Sequence, residues 1–455
     1  MSFKKSLFIF RRDLRTYDNT GLIEALKSSE KVICGFIFDP RQIEEHQYRS
    51  APGLAFMIAT LSELQKEIRE LGGELYFWKG QPENIVAELV KAEGIEAVFV
   101  NSDYTPFARS RDQAIAAICK SHKVSFSEHH DLLLNAPGAV LKDNGQPYQI
   151  YTPFYRASAK IEVRTPAKLP NHNFGSGKIS GISTVDPLKI FDREPMCVAG
   201  RKAALSELSK IKNYSKYDEE RNLPAVRGTT QLAPHNKFGT ISCREFYYAV
   251  SKAFNKEHTL IKELYWRDFF SHIGFHFPHV FSGCFTKKYD KLKWQNDEGR
   301  FEAWCEGQTG FPIVDAGMRE LKSSGFMHNR VRMIVASFLT KDLLIDWRWG
   351  ERHFARHLTD YDPAVNNGNW QWAASTGCDA QPYFRIFNPW MQQEKFDPEC
   401  VYIKRWVPEL KTLSPKEIHG LAKKPEGLPI LGYPSQVVDH RESKIDAEEM
   451  FRAVG

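Results

Sequence analysis

Glu263 and Trp266 stand three residues apart in the segment ELYWRDFF, a spacing that puts a carboxylic acid and an indole on one face of a helix. An acid beside an aromatic platform can hydrogen-bond a flat ligand that stacks next to it. Asn366 and Trp370 are four apart, as are Asn329 and Met333, so each pair shares a helical face if its segment is helical. Trp370 and Trp372, two apart, point in different directions and can meet different partners. Ten tryptophans are present and only Trp78 precedes residue 260, so the demand for indoles lies in the second half. Large aromatics usually bury area, and three of these, Trp294, Trp347 and Trp370, read as core on residue type alone. Three familiar motifs fail. After SLFIF the chain runs RRDLRTYDNTG instead of GxGxxG, and GSGKIS at 175–180 has His172 where a phosphate loop needs glycine. His272 and His276 are four apart, but Ile273 stands where a zinc-protease helix has glutamate, so they read as polar helix-face histidines and no metal site is expected.

The elements that must position these residues fall into two textures. Through the first 130 residues, short β-rich runs (SLFIF, VICGFIF, ELYFW, AVFV, VSF) alternate with amphipathic stretches such as GLAFMIATLSELQKEIREL. That alternation predicts an α/β domain built on a doubly wound parallel sheet. Residues 160–200 are rich in Pro, Gly and Ser without an apolar period and mark a connector. Beyond 200, helical periods dominate, as in ISCREFYYAVSKAF, FEAWCEG, DAGMRELKSSG and HNRVRMIVASFLTKDLLIDW. The expected organisation is an α/β domain over 1–130, a connector over 131–205 and an all-helical domain over 206–455.

At 455 residues, 42% hydrophobic and 26% charged, the chain is neither disordered nor fibrous. A formal charge of +6 is compatible with a polyanionic partner and far too small to prove one. The eight cysteines show no CxxC and no zinc spacing, and read as reduced thiols of a cytoplasmic protein. Leu7–Phe10 ends at once in Arg11, Arg12 and Asp13, too short for a secretory segment, and no stretch approaches a membrane span.

Three blocks in order, ELYWRDFF (263–270), MHNRVRMIVASFLTKDLLIDW (327–347) and RHLTDYDPAVNNGNWQWAASTGCDAQPYFRIFNP (356–389), resemble the photolyase and cryptochrome flavoproteins. FRRDLRTYDN at the start and TTQLAPHNKFG belong to the same pattern, and the resemblance covers essentially the whole chain. It implies an all-helical domain that holds a folded FAD, and a light-driven lyase resembling the class I cyclobutane pyrimidine dimer enzymes.

The resemblance assigns roles by position. Asn366 matches the residue facing flavin N5, where plant cryptochromes carry a proton-donating aspartate; an asparagine suits a repair enzyme that works with the reduced anionic flavin. Asp360 matches the acid that pairs with the arginine at Arg332, and a buried charge there requires such a partner. Asp362 and Asn367 match further flavin contacts. Tyr217, Thr229, Thr230, Gln231, Leu232 and Ala233 match the phosphate and ribitol contacts, and Arg267 a pyrophosphate partner. Trp370, Trp347 and Trp294 match a tryptophan triad that carries electrons from the surface to the flavin after light absorption. Trp266 and Trp372 resemble the pair that sandwiches a flipped dimer. Glu263 resembles the acid that donates a hydrogen bond to the dimer carbonyl, which requires that burial keep it protonated. Asn329 with Met333 resembles the cyclobutane-dimer enzymes, where (6-4) photolyases carry histidine near Met333. Arg221, Arg330 and Arg385 match phosphate-contacting arginines.

A second, light-harvesting chromophore is left open. Folate-binding relatives carry an Asn-Glu pair where this chain has Phe107 and Ala108, so folate of that mode is not expected, and a deazaflavin, a flavin or no second chromophore are alternatives. Leu260 also replaces an aromatic found in some relatives. The expected partner is damaged DNA, bound by a monomer. A cryptochrome photoreceptor is the rival class, disfavoured by Asn366, Trp266 and the short stretch after the helical region. A (6-4) photolyase is the rival enzyme, disfavoured by Met333.

Overall fold

The computed structural model describes residues 2–428 and 432–454. They divide into two compact units, Met1–Lys212 with Gln231–Pro278, and Asn213–Thr230 with His279–Gly455.

The first unit is built on five parallel strands in the order β3-β2-β1-β4-β5: β1 Phe3–Phe10, β2 Ser29–Phe38, β3 Leu75–Lys79, β4 Ala97–Asn101 and β5 Ser125–His129. Successive residues of β1 serve opposite faces: Phe8 and Phe10 join one core with Leu22, Phe38 and Phe56, while Leu7 and Ile9 join another with Trp78, Val86 and Ile115. Two buried faces explain why the central strands are continuous apolar runs. The crossovers are the helices Thr20–Ser28, Ala51–Glu70, Pro82–Glu93 and Pro106–Ser121. Side chains of Asn19, Ser50 and Thr105 accept backbone N–H groups where three of them begin. The winding reverses between β1 and β4, the doubly wound arrangement anticipated from the alternation. Gly35 has no room for a side chain, because a Cβ there would lie 2.1 Å from the Trp78 ring.

Most of the segment from 131 to 205 is irregular, yet it is pinned. Val32 at the start of β2 exchanges backbone hydrogen bonds with Asn173 and Gly175, and Asp18 donates its N–H to the Ala167 carbonyl. Short helices interrupt it, among them Tyr151–Ser158 and Pro187–Ile190. The helix Tyr151–Ser158 packs on the long helix Thr259–His276, which carries Glu263, Trp266 and Arg267.

The second unit is helical, with one apolar core around Trp304, Phe311, Leu339, Trp347, Phe354 and Trp370. The helices that matter for chemistry are Asn329–Ser337, Trp347–His357 and Pro363–Ala373. HNRVRMIVASFLTKDLLIDW, one helical period in sequence, is three pieces in space. Asn329–Ser337 gives way to a π-turn over Phe338–Asp342, and Leu344 at φ 52° breaks the chain before Trp347 starts the next helix under an Asp346 cap.

Candidate flavin and substrate site

In the second unit, the helix Pro363–Ala373 is started by Asp362, whose Oδ1 accepts the N–H groups of Ala364 and Val365. One turn in, the Asn366 side-chain nitrogen donates to the Glu351 carbonyl at 3.0 Å and to Glu351 Oε1 at 2.9 Å. Both hydrogens of that amide therefore face Glu351, and the carbonyl end of Asn366 is the end turned elsewhere. Glu351 is a buried residue that the motif reading missed: it lies on another helix, fifteen residues away, and no local pattern links the two. Asn367 donates to the Val280 carbonyl and accepts from Gln371, so its amide ties the helix to its neighbours.

Arg332 and Asp360 form the expected ion pair, Nη2 to Oδ2 at 2.9 Å, with Arg332 Nε also on the Met327 carbonyl. The other carboxylate oxygen, Asp360 Oδ1, is buried without a hydrogen-bond partner. A buried carboxylate oxygen without a donor is costly, and a ligand donor such as a ring N–H or a ribityl hydroxyl would satisfy it. That observation, with the outward carbonyl of Asn366, makes this end of the unit fit a flavin. Tyr217 is buried, with the Arg221 guanidinium 5.6 Å over its ring. Thr229 and Thr230 are half-buried in this unit. The run continues into the first unit with Gln231 in the left-handed region at φ 56° and Leu232 preceding the short helix Ala233–Phe238.

Trp370 and Trp347 are both 2% exposed and lie on adjoining helices. Gly350 lets the two helices approach: a Cβ there would meet the Trp370 ring at 2.1 Å. Trp370 also touches Trp304 at 6.1 Å and Phe354 at 5.0 Å, both edge-on, and neither was singled out by motif. Trp294 is half-buried and meets Phe451 of the helix His440–Arg452 edge-on at 6.3 Å. Trp372 is half-buried where Trp370 is fully so, as the two-residue spacing requires.

Asn329 is exposed at the start of its helix and Met333 half-buried one turn on. Arg330 is held rather than free in solvent. Its Nη2 donates to Asn222 Oδ1 at 2.8 Å and its guanidinium stacks 4.3 Å from the Phe396 ring. Burial, then the nearby Arg221 charge, lowers its pKa. Two like charges brought together in this way suit an anion. Arg385 is exposed in the loop after Trp372.

In the first unit, Glu263 and Trp266 are half-buried on the helix Thr259–His276. The guanidinium of Arg267, expected as a pyrophosphate partner, donates to the carbonyls of Leu132 and Asn236, while Nε is buried without a partner. Two of its donors thus tie the Leu132 loop and the helix Ala233–Phe238 to the long helix, and one donor is left over. His272 and His276 both contact the Pro137 carbonyl at 3.0 Å. His272 is fully buried rather than on an exposed helix face, and burial pushes its pKa down to about 4. Among the described residues no group of three His, Cys, Asp or Glu could hold a metal, and no helix is long and apolar enough to cross a membrane. Where folate binders carry Asn-Glu, Phe107 sits 5.2 Å under the Arg41 guanidinium and Ala108 is buried, so the polar pair has no counterpart.

Comparison with known proteins agrees with this geometry. The family model described as the FAD binding domain of DNA photolyase matches residues 260–453, and the DNA photolyase model matches 6–171. A Synechococcus protein named deoxyribodipyrimidine photo-lyase is 38% identical over 95% of this chain and 93% of its own. The Sulfolobus tokodaii photolyase, whose crystal structure is described as holding two FAD molecules, is 42% identical with a TM-score of 0.89, covering 99% of this chain and 100% of that one. A Synechocystis cryptochrome is 28% identical at the same TM-score, again over 99% of this chain and 100% of that one. Fold alone therefore does not separate repair enzyme from photoreceptor. The fold and the flavin-fitting cluster define a flavoprotein of two units, one α/β and one helical. The chain belongs to the DNA photolyase family.

Proposed function

We propose that the residues described above carry out cyclobutane pyrimidine dimer repair, each in the role its position implies. The activity itself is light-driven DNA repair, a carbon–carbon lyase reaction on pyrimidine dimers. Arg332, Asp360 and Asn366 would hold FAD, which when bound in its reduced anionic form would supply the light-driven electron donation that splits the dimer with no net redox change.

The observation that carries the residue assignment is the fixed amide of Asn366. Glu351 takes its nitrogen, so the carbonyl oxygen is what it offers a neighbour, and a carbonyl accepts the N–H of a reduced ring. An aspartate, able to donate a proton, would favour a different flavin state. Arg332 and Asp360 hold the polar edge of the ring, with Asp360 Oδ1 accepting from it. Asp362, Asn367, Tyr217, Thr229 and Thr230 of the second unit would supply further cofactor contacts, and Gln231, Leu232, Ala233 and Arg267 are the candidates for that role in the first. Trp370, Trp347 and Trp294 replenish its electrons.

In the first unit, Trp266 would provide an aromatic face for a flipped base and Glu263 a hydrogen bond that strengthens as charge develops on its carbonyl; in the second, Trp372 would offer an aromatic face and Asn329 with Met333 an edge of mixed polarity. Arg221, Arg330 and Arg385 hold backbone phosphates. As a monomer in the cytoplasm, the protein would keep its eight free cysteines reduced.

A second flavin is the chromophore that best fits the first unit. The folate pair is replaced by Phe107 and Ala108, the sheet reverses between β1 and β4, where α/β folds take ligands, and the Sulfolobus tokodaii relative holds two FAD molecules. Two FAD released per chain on denaturation would support it, and one would remove it.

The test of substrate class is illumination of two oligonucleotides, one with a cyclobutane dimer and one with a (6-4) photoproduct. Restoration of the first alone is expected; restoration of the second alone would overturn the assignment built on Met333.

A further inference from the structure

Trp266 presents a stacking surface whose other face is already taken. The ring of Tyr151 lies parallel to it, centroids 3.6 Å apart and planes 7° from parallel. Tyr151 begins the helix Tyr151–Ser158, in the stretch that composition alone reads as a connector. Its ring is 8% exposed, with Phe269 edge-on at 5.8 Å and Tyr155 stacked beyond it at 6.0 Å. Its hydroxyl donates to the Lys262 carbonyl at 2.8 Å. In an α-helix that carbonyl is the one facing the Trp266 amide, so the phenol is anchored to the turn from which the indole projects. Burial, and after it the nearby Glu263 side chain, raise the Tyr151 pKa.

The indole cannot rotate toward Tyr151 without losing a full aromatic overlap, so its plane is set before any DNA arrives. Phe269 at 5.9 Å and Phe270 at 5.7 Å hold it from its own helix. An incoming base therefore meets a rigid, one-sided platform and does not have to order a mobile side chain, which is where preorganisation gains affinity.

We infer that Tyr151 is a positioning residue that backs Trp266 and makes it a one-sided stacking platform for the flipped pyrimidine, so that the connector contributes to substrate recognition. This rests on the proposed role of Trp266. Tyr151 touches no reacting atom and its effect is on recognition of the lesion, not on the electron transfer.

The experiment measures dark binding of the reduced holoprotein to a dimer-containing oligonucleotide and to its undamaged counterpart, with repair rate at saturating DNA as a second readout. Variants are Tyr151→Phe, Tyr151→Leu, Tyr151→Ala and Trp266→Ala. Tyr151→Ala and Tyr151→Leu are expected to weaken dimer binding about five- to tenfold, the range of one aromatic stack. Tyr151→Phe, which keeps the flat face, should stay within about twofold of the parent, as expected when one hydroxyl bond is lost next to a retained stack. Undamaged-DNA affinity, FAD content and repair rate at saturation should not move. Where Tyr151→Ala does not fold, Tyr151→Leu carries the same comparison. Loss of dimer selectivity in Trp266→Ala with full selectivity in Tyr151→Ala and Tyr151→Leu would overturn this inference and leave the role of Trp266 standing. Full selectivity in Trp266→Ala would overturn the role of Trp266 itself. Equal weakening toward both oligonucleotides, or loss of FAD in every Tyr151 variant, would reduce Tyr151 to a structural residue and also overturn the inference.

Discussion

In the α/β unit, Arg15 and Arg244 close on the two oxygens of Asp131 at 2.5 and 2.7 Å, and Arg244 and Arg164 close on the two oxygens of Asp18 at 2.7 and 2.6 Å. In the helical unit, Arg332 meets only one oxygen of Asp360 and the other is buried without a donor. In the first arrangement every carboxylate oxygen is paired: three guanidinium groups share two carboxylates, and the atom left over is a donor, the buried Arg15 Nε, not an acceptor. The second is incomplete by one hydrogen bond at a residue whose neighbours match flavin contacts. Buried charge thus serves opposite ends in the two regions, holding elements together in one and awaiting a partner in the other.

Substitution tests that contrast. Asp131→Ala leaves two buried arginines short of a partner and should cost about 3–5 kcal/mol of stability by chemical denaturation. Asp360→Ala should keep the fold while lowering retained FAD several-fold. A matching loss of stability in both would dissolve the distinction. The acid limb of the stability curve carries the same information. Burial alone would raise the Asp131 pKa, but Arg15 and Arg244 outweigh it and hold the carboxyl below its usual range. Its contribution is therefore present above the unfolded value of about 4 and disappears as pH falls below it. Asp131→Asn should flatten that limb.

Asp268 is the exception within the α/β unit and sharpens the comparison. It accepts the N–H groups of Leu134 and Asn135, its other oxygen has no partner, and burial pushes its pKa up to about 7. A raised folded value makes the native state hold its proton longer. Stability should therefore decline as pH climbs from about 4 toward 7, by roughly 1.4 kcal/mol for each unit of displacement. Asp268→Asn should remove the decline, read from denaturation midpoints across that range.

The aromatic interior of the helical unit gives the next effect. Gly350→Ala drives a methyl group into Trp370 and Leu339 and should cost about 1–3 kcal/mol, as overpacking does. Trp370→Phe should be nearly silent in stability, since the ring space stays mostly filled. It should slow photoreduction of the oxidised holoprotein while leaving repair by chemically reduced protein largely intact. Loss of both would make Trp370 purely structural.

The parallel, doubly wound sheet and most helices were legible in the sequence because each rests on local periodicity and alternation, whereas the strand order was not. The alternation of Leu7, Phe8, Ile9 and Phe10 between two cores follows from period two, and the depth of Trp370 against Trp372 follows from their spacing. Motif order was legible as resemblance. What escaped is contact between residues far apart in the chain: the Tyr151 stack on Trp266, the Glu351 clamp on Asn366 and the Asp131 pairing with Arg244. The break at Leu344 escaped for another reason. Apolar residues continue through it, so hydrophobic pattern sees no boundary where the backbone turns left-handed.

The central claim is that excitation of the reduced flavin, held by the helical unit, drives dimer splitting. It is tested most directly by exposing reduced and oxidised holoprotein, each bound to dimer-containing DNA, to a single blue-light flash and counting restored pyrimidines against dark controls. The account predicts restoration only in the reduced, illuminated sample, with the flavin still reduced afterwards. Intact dimers in that sample, despite bound DNA and reduced FAD, would contradict it.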